Sequence, residues 1–352
     1  MSISTISFNN ASRATIMKVQ AELRDSLTES STGRHADVGR TLGRLTGNAV
    51  TLRSQETSLD RMLETNTLAT QRLGLMDDTL DTIFKSAEAL SNNLIAGLNN
   101  ADFLRSAVQL ATDGFEQMTG ALNLSSGGQY LFAGTQTDLK PFDDVANGLS
   151  LANQEYTDFL ALVGKTPGTV TADELRQYLN SGFQGVDGAG NAYDHRFNSH
   201  FDVAGWSAFS SASSENITAR ISKSETIETS LSANEEAFRD LAAGYTMLSQ
   251  LASSDLNEGA RAALAAEASA RLNAGMTKIT ALRSELGNRM ARVEAADTSL
   301  KQQKDIFTIS LASLEEIDLV EASTRVAALQ TQLEVSYRVT GLIREISILD
   351  YL

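Results

Sequence analysis

Cysteine is absent from all 352 residues, and proline occurs only twice. Without thiols the chain has no disulfide, no thiolate metal site and no cysteine nucleophile. With no proline before Pro141, long stretches are free to run as uninterrupted helix. Aromatic residues make up only 6%, less than the cores of an ordinary two-domain enzyme carry. Positive charge is also short: 29 basic against 44 acidic residues leave −15, which repels nucleic-acid phosphates. No apolar run is long enough to cross a bilayer. The opening MSISTISFNN has neither the basic nor the apolar region of a cleavable signal. The expectation is a chain with no nucleic-acid partner and no membrane insertion, either cytoplasmic or exported without a cleaved leader.

What the chain has in quantity is heptad pattern. Leu45, Leu52, Leu59, Leu73, Leu80 and Leu94 share one seven-residue register, with Asn66 and Ala87 in its gaps. Met62, Ala69, Met76, Ile83 and Leu90 follow three residues behind. This a/d spacing predicts a helix of roughly 75 Å. A second stripe runs through Leu104, Val108, Ala111, Phe115, Met118 and Leu122. In the other half, Phe238, Leu241, Tyr245 and Leu248 lead to a break near Ser253–Asn257. Leu272, Ile279, Leu286, Val293, Leu300, Phe307 and Leu314 then keep one register. Their d-type partners Met276, Met290 and Leu311 alternate with Arg283, Asp297 and Lys304. That predicts a narrow seam, with those polar positions turned to solvent or to neighbouring subunits.

The chain ends carry shorter stripes: Ile16, Val19, Leu23 and Leu27, and Val335, Val339, Leu342, Ile346 and Leu349. A lone apolar helix is marginal in water, so these must find partners, first in each other and next in other copies. The middle is different: it holds half of the glycines, both prolines and the only tryptophan. Its runs read as loops and short strands, with a helix at Thr171–Leu179 announced by a Thr171/Glu174 capping box. The transition is GGQYLFAGTQTDLKPFDD. Here Gly127 and Gly128 are expected to end the rod helix, and Tyr130, Phe132 and Gly134 to lie in a short hairpin ending at Thr137. Pro141 and Phe142 would turn the chain outward.

Catalytic motifs fail on inspection. Gly164-Lys165-Thr166 lacks the upstream glycine of a P-loop, where Phe159 stands instead, and Pro167 blocks the helix that should follow. His195 and His200 lie near Asp194 and Asp202 without a recognised third ligand, and Asp187–Asp194 lacks the alternating acids of a calcium loop. Trp206-Ser207 sits in no nucleophile elbow. No cofactor, metal or catalytic residue is expected, and no enzyme. The remaining motif is basic: Arg34, Arg40 and Arg44 alternate with Gly39, Gly43 and Gly47. It reads either as a flexible linker or as a close-packing segment that docks between copies.

Three stretches resemble the flagellin superfamily, and within it the hook-associated branch. They are ESSTGRHADVG from Glu29, the Gly127–Asp144 run, and LEVSYRVTGLIREISILDYL from Leu333. The run ADVGRTLGRLTG departs from the acidic run that flagellins usually carry at that place. The resemblance implies a mainly α fold: an elongated antiparallel helical rod or coiled-coil bundle built from both chain ends, with a central, mixed, partly β outer domain. It divides the chain at 1–40 (inner helix), 41–126 (rod), 127–219 (shoulder and outer domain), 220–317 (rod) and 318–352 (inner helix). It implies a structural subunit that joins hook to filament as a tubular ring. The partners would be its own copies, an adjacent hook-associated protein, flagellin, and the flagellar export machinery or a chaperone. Export through the flagellar channel would place it outside the cell. The alternatives are a self-polymerising flagellin and, more distantly, a helical adhesin or signalling module.

Overall fold

The computed structural model describes residues 2–97, 101–186, 192–252 and 255–349. Side chains at 2–6, 8–9, 95–97, 101–104, 183–186, 192–195 and 343–349 lie outside that description, and with them Leu104, Asp194, His195, Ile346 and Leu349. The chain forms two compact units: Met1–Arg61 with Thr298–Leu352, and Met62–Asp297.

In the first unit α1 (Ser2–Thr32) packs along α9 (Leu319–Leu349). Helix α1 stops at Gly33, whose φ of +70° is the left-handed conformation that glycine adopts freely. Its N–H donates back to the Glu29 carbonyl at 2.8 Å. The basic segment is ordered as α2 (Val38–Leu42), capped by the Asp37 carboxylate accepting from the Arg40 N–H at 2.9 Å. Then α3 (Thr46–Gly97) begins, and α8 (Glu258–Glu315) ends beside it. They run antiparallel: Lys304 pairs with Asp60, and Thr308 Oγ1 donates to Glu56 Oε1 at 2.9 Å. The heptad seam closes gradually here. Leu45 is exposed, Leu52 half-buried and Leu59 buried.

In the second unit the same two helices zip fully. Leu73, Met76, Leu80, Ile83, Ala87 and Leu90 bury in one core with Leu272, Ile279, Leu286 and Val293. Two of the polar d positions do not turn to solvent as expected. Arg283 bridges to Asp77 (2.9 Å) and Asp81 (2.7 Å) across the seam, and Asp297 accepts from the buried Asn66 amide at 2.6 Å. The α3 face offers carboxylates and an amide at these levels, so the polar positions pair within the chain. Helix α4 (Ala101–Leu122) adds Ala107, Ala111, Phe115, Met118 and Leu122 to the core, and Val108 is only half-buried. Helix α7 (Glu236–Thr246) packs on α4, and a π-helical turn, Met247–Leu251, ends it.

The paired glycines do not end a helix, because α4 has already stopped at Leu122. Strand β1 (Ser125–Ser126) pairs antiparallel with β2 (Gln129–Tyr130), which makes Gly127–Gly128 the hairpin turn. Their φ values of +60° and +82° match the two left-handed residues of a type I′ turn. The hairpin therefore lies earlier than Tyr130–Thr137, a stretch closed by the Tyr130 N–H to Thr137 carbonyl bond (2.8 Å) and a turn from the Gln136 N–H to the Ala133 carbonyl (3.3 Å).

Beyond it α5 (Val145–Leu162) fills a stretch read as loop, its N-cap being Asp144. Helix α6 (Ala172–Asn180) carries the full Thr171/Glu174 capping box. Two further antiparallel pairs follow: β3 (Phe183–Val186) with β4 (Ala192–His195), and β5 (Thr218–Arg220) with β6 (Thr226–Glu228). Nine of the 21 aromatic residues fall within residues 145–228. Phe159 stacks on Tyr178 at 4.4 Å, and Phe201, Trp206 and Phe209 stack beside them. Concentrating the aromatics gives short elements a core that aliphatic heptads supply elsewhere.

Candidate assembly surface

The two terminal stripes meet different fates. On α1, Val19 is buried, and Ile16 and Leu23 are half-buried toward α9; Leu27 is exposed. On α9, the residues buried or half-buried are Ala322, Val326, Leu329, Leu333, Ser336 and Thr340, a four-three spacing of its own. Hydrogen bonds link the two helices beside this seam, Ser12 Oγ to Thr340 Oγ1 at 2.9 Å and Gln20 Nε2 to the Tyr337 hydroxyl at 2.7 Å. The expected stripe lies well over a quarter turn away at 100° per residue. Val335, Val339 and Leu342 are 53%, 44% and 58% exposed. The described part of the C-terminal stripe, Val335, Val339 and Leu342, therefore does not pair with the other terminus, contrary to the first expectation. It remains an apolar face on a helix whose opposite side is already seated.

The basic residues separate. Arg40 and Arg44 are exposed and form no ion pair among the described residues. Arg34 instead joins Arg53 on Glu315, at 3.7 and 2.6 Å.

At the shoulder, Leu131, Phe132 and Ala133 are fully buried, and the Phe132 carbonyl accepts from the Ala233 N–H at 2.7 Å. Gly134 is left-handed at φ +62°, and a Cβ there would collide with the Ser213 and Glu215 carbonyls. Asn123 clamps Phe142 through both backbone groups at 2.9 Å, and the Phe142 ring meets Trp206 edge-on at 5.7 Å. Pro141 is buried, its carbonyl accepting from the Ser211 N–H. Arg72 reaches the hairpin at Gln129 Oε1 and the Tyr130 carbonyl, both 3.2 Å, and its partial burial lowers the guanidinium's proton affinity. Gly127 and Gly128 are exposed at the hairpin turn, and Tyr130 is half-buried on β2. Backbone hydrogen bonds and ring contacts hold this shoulder together.

Burial lowers the His200 pKa, with Glu155 and Asp202 pulling the other way. Among the described residues no three His, Asp or Glu side chains converge as metal ligands. Among them also, no helix is long and apolar enough to cross a membrane.

Both chain ends match one family. The bacterial flagellin N-terminal helical region covers residues 3–137, and the C-terminal helical region covers 270–352, together well over half of the chain. The chain belongs to the flagellin family. Its fold is shared with a candidate flagellar hook-associated protein of Vibrio parahaemolyticus: 10% identity, a TM-score of 0.51, and 77% of this chain against 97% of that one. FlgL of Bacillus cereus (12% identity, 74% against 99%) and hook-associated protein 3 of Legionella pneumophila (10%, 75% against 98%) follow, each at a TM-score of 0.49. No curated protein matches the chain. In this flagellin-family chain the two matched regions are the ones whose long helices pair, and the unmatched stretch contains the aromatic insert.

Proposed function

We propose that the protein is a structural, non-enzymatic subunit of the bacterial flagellum that joins hook to filament by assembling into a tubular ring. The observation that carries this reading is the exposed stripe Val335, Val339 and Leu342, with Ile346 and Leu349 continuing its spacing. Exposed apolar surface on a helix already packed on its other side finds water-free cover most directly in another subunit. A surface that is not self-complementary generates rings or tubes. In that ring residues 1–40 and 318–352 form the inner layer, 41–126 and 220–317 the rod, and 127–219 the outer part. The neighbours are its own copies, an adjacent hook-associated protein and flagellin, reached by export through the flagellar channel with a chaperone. Likeness of fold to a hook-associated protein supports the junction over the filament, as does ADVGRTLGRLTG in place of the usual acidic run.

The test is electron microscopy of purified protein added to isolated hook fragments, with and without flagellin. A junction protein caps hook ends, stops there and then permits flagellin growth. Long filaments from this protein alone would instead make it a filament subunit, the reading that the family's name favours.

A further inference from the structure

The two linkers that carry the terminal helix pair, residues 33–37 and 316–318, are joined at one point. Arg34 and Glu316 form an isolated antiparallel bridge, the His35 N–H donates to the Glu315 carbonyl at 3.0 Å, and the Ile317 N–H donates to the Gly33 carbonyl at 3.0 Å. Beside this bridge lies an uncommon group, a glutamate side chain only 2% exposed, Glu315. Its Oε2 receives Arg53 Nη2 at 2.6 Å, with Arg34 Nη1 at 3.7 Å, and its Oε1 is buried with no hydrogen-bond partner among the described residues. Arg34 and Arg53 are themselves more than half exposed. One turn away Glu29 gathers the Ala36 N–H (3.2 Å), His35 (3.7 Å) and Arg325 (3.8 Å).

We infer that Glu315 is a latch that fixes the joint between the terminal helix pair and the ends of α3 and α8, closing only when both chain ends are docked. Its nearer partner, Arg53, belongs to α3 and its farther one, Arg34, to the linker after α1, whereas Glu315 is the last residue of α8 beside the linker to α9. A buried carboxylate that loses its cation is strongly unfavourable, so the joint does not rest half-made. An apolar core would weld the two linkers, but this arrangement makes their union conditional on both. Glu315 is thus a positioning residue for the assembly stripe of α9, and only that consequence rests on the proposed function.

The experiment is hydrogen exchange by mass spectrometry on the full chain, with sedimentation of the same samples to read self-association. The variants are Arg53→Gln, Glu315→Gln and the double variant, with Arg44→Gln as an exposed control. Arg53→Gln should raise exchange at 29–37 and 313–320 by about tenfold and leave α4 and α7 at the wild-type rate. The double variant, having no buried charge to strand, should exchange more slowly there than Arg53→Gln alone, a rescue that mere loss of packing would not give. Wild-type exchange at the joint in Arg53→Gln, or a double variant no better than Arg53→Gln, overturns the latch. If the joint loosens as expected while no variant and not even wild type self-associates, the latch stands and the assembly reading fails.

Discussion

Asn66 occupies an a position between Leu59 and Leu73, where a leucine would seem the natural choice. It is fully buried, and its amide donates to the Ile221 carbonyl at 2.9 Å as well as to Asp297. One side chain thus fixes the register of α3 against α8 and pins the turn before β6. Asn66→Leu would add apolar contact yet strand a carbonyl and a carboxylate. We expect a net loss of about 2 kcal/mol in urea unfolding followed by circular dichroism. A variant as stable as wild type would show that water replaces the amide. Glu174 makes a pH-dependent contribution. Its carboxyl is held below the ordinary value of 4.5, first by the Thr171 backbone N–H, then by the Thr171 hydroxyl and Lys165. A depressed folded pKa means that the contribution is complete above 4.5 and is lost as pH falls through the lower folded value. An NMR titration should place the Glu174 midpoint below 4.5, and Thr171→Val should move it upward. A midpoint unmoved by Thr171→Val would remove the hydroxyl as a cause and leave the Thr171 backbone N–H and Lys165.

Helix α9 separates two roles by face, and paired substitutions read them apart. Leu342 stands on the exposed stripe, and Leu329 is buried on the α1 side. Leu342→Asp should leave helicity and melting of the monomer unchanged and abolish self-association in sedimentation. Leu329→Asp places an unpaired charge against α1 and should weaken the terminal pair by about 3 kcal/mol, seen as exchange throughout α1 and α9. Normal ring formation by Leu342→Asp would count heavily against the stripe as the interface. The same division explains why the α1–α9 seam tolerates serine and threonine. Hydrogen bonding between Ser12 and Thr340 satisfies those groups, while Leu329 and Leu333 supply the apolar contact of the seam.

Charge is divided very unevenly over the whole molecule. Residues 62–297 contain 30 of the 44 acidic and 16 of the 29 basic residues, so this unit carries −14 of the chain's −15. The unit with the terminal helices is close to neutral. Copies brought together through their terminal helices must hold many acidic units at close range, and that repulsion is screened by salt. The Debye length falls from about 30 Å at 0.01 M to about 8 Å at 0.15 M ionic strength. Self-association measured by light scattering should therefore strengthen over that range. Weakening with salt would mean that attraction between unlike charges, such as Arg40 and Arg44 against an acidic neighbour, dominates the interface.

The sequence alone determined the long helices, the α3–α8 seam, the capping box at Thr171 and the family, because each is written in local spacing. Seven-residue repetition specifies a helix and its apolar face whatever lies opposite. It could not say what each face meets. The spacing offers the Val335 stripe as a mate for α1, but α9 turns inward the face of Ala322, Val326, Leu329 and Leu333. The choice depends on how two whole surfaces fit, side-chain hydrogen bonds included. Arg283 and Asp297 looked solvent-facing for the same reason: their carboxylate and amide partners lie more than 200 residues away. The glycine pair was read as a helix end because its signal, two left-handed positions, serves a type I′ turn equally well until Ser125 and Tyr130 are seen to pair. Glu315 left no sequence signal at all, since a glutamate at a helix end is ordinary until tertiary packing buries it between two arginines.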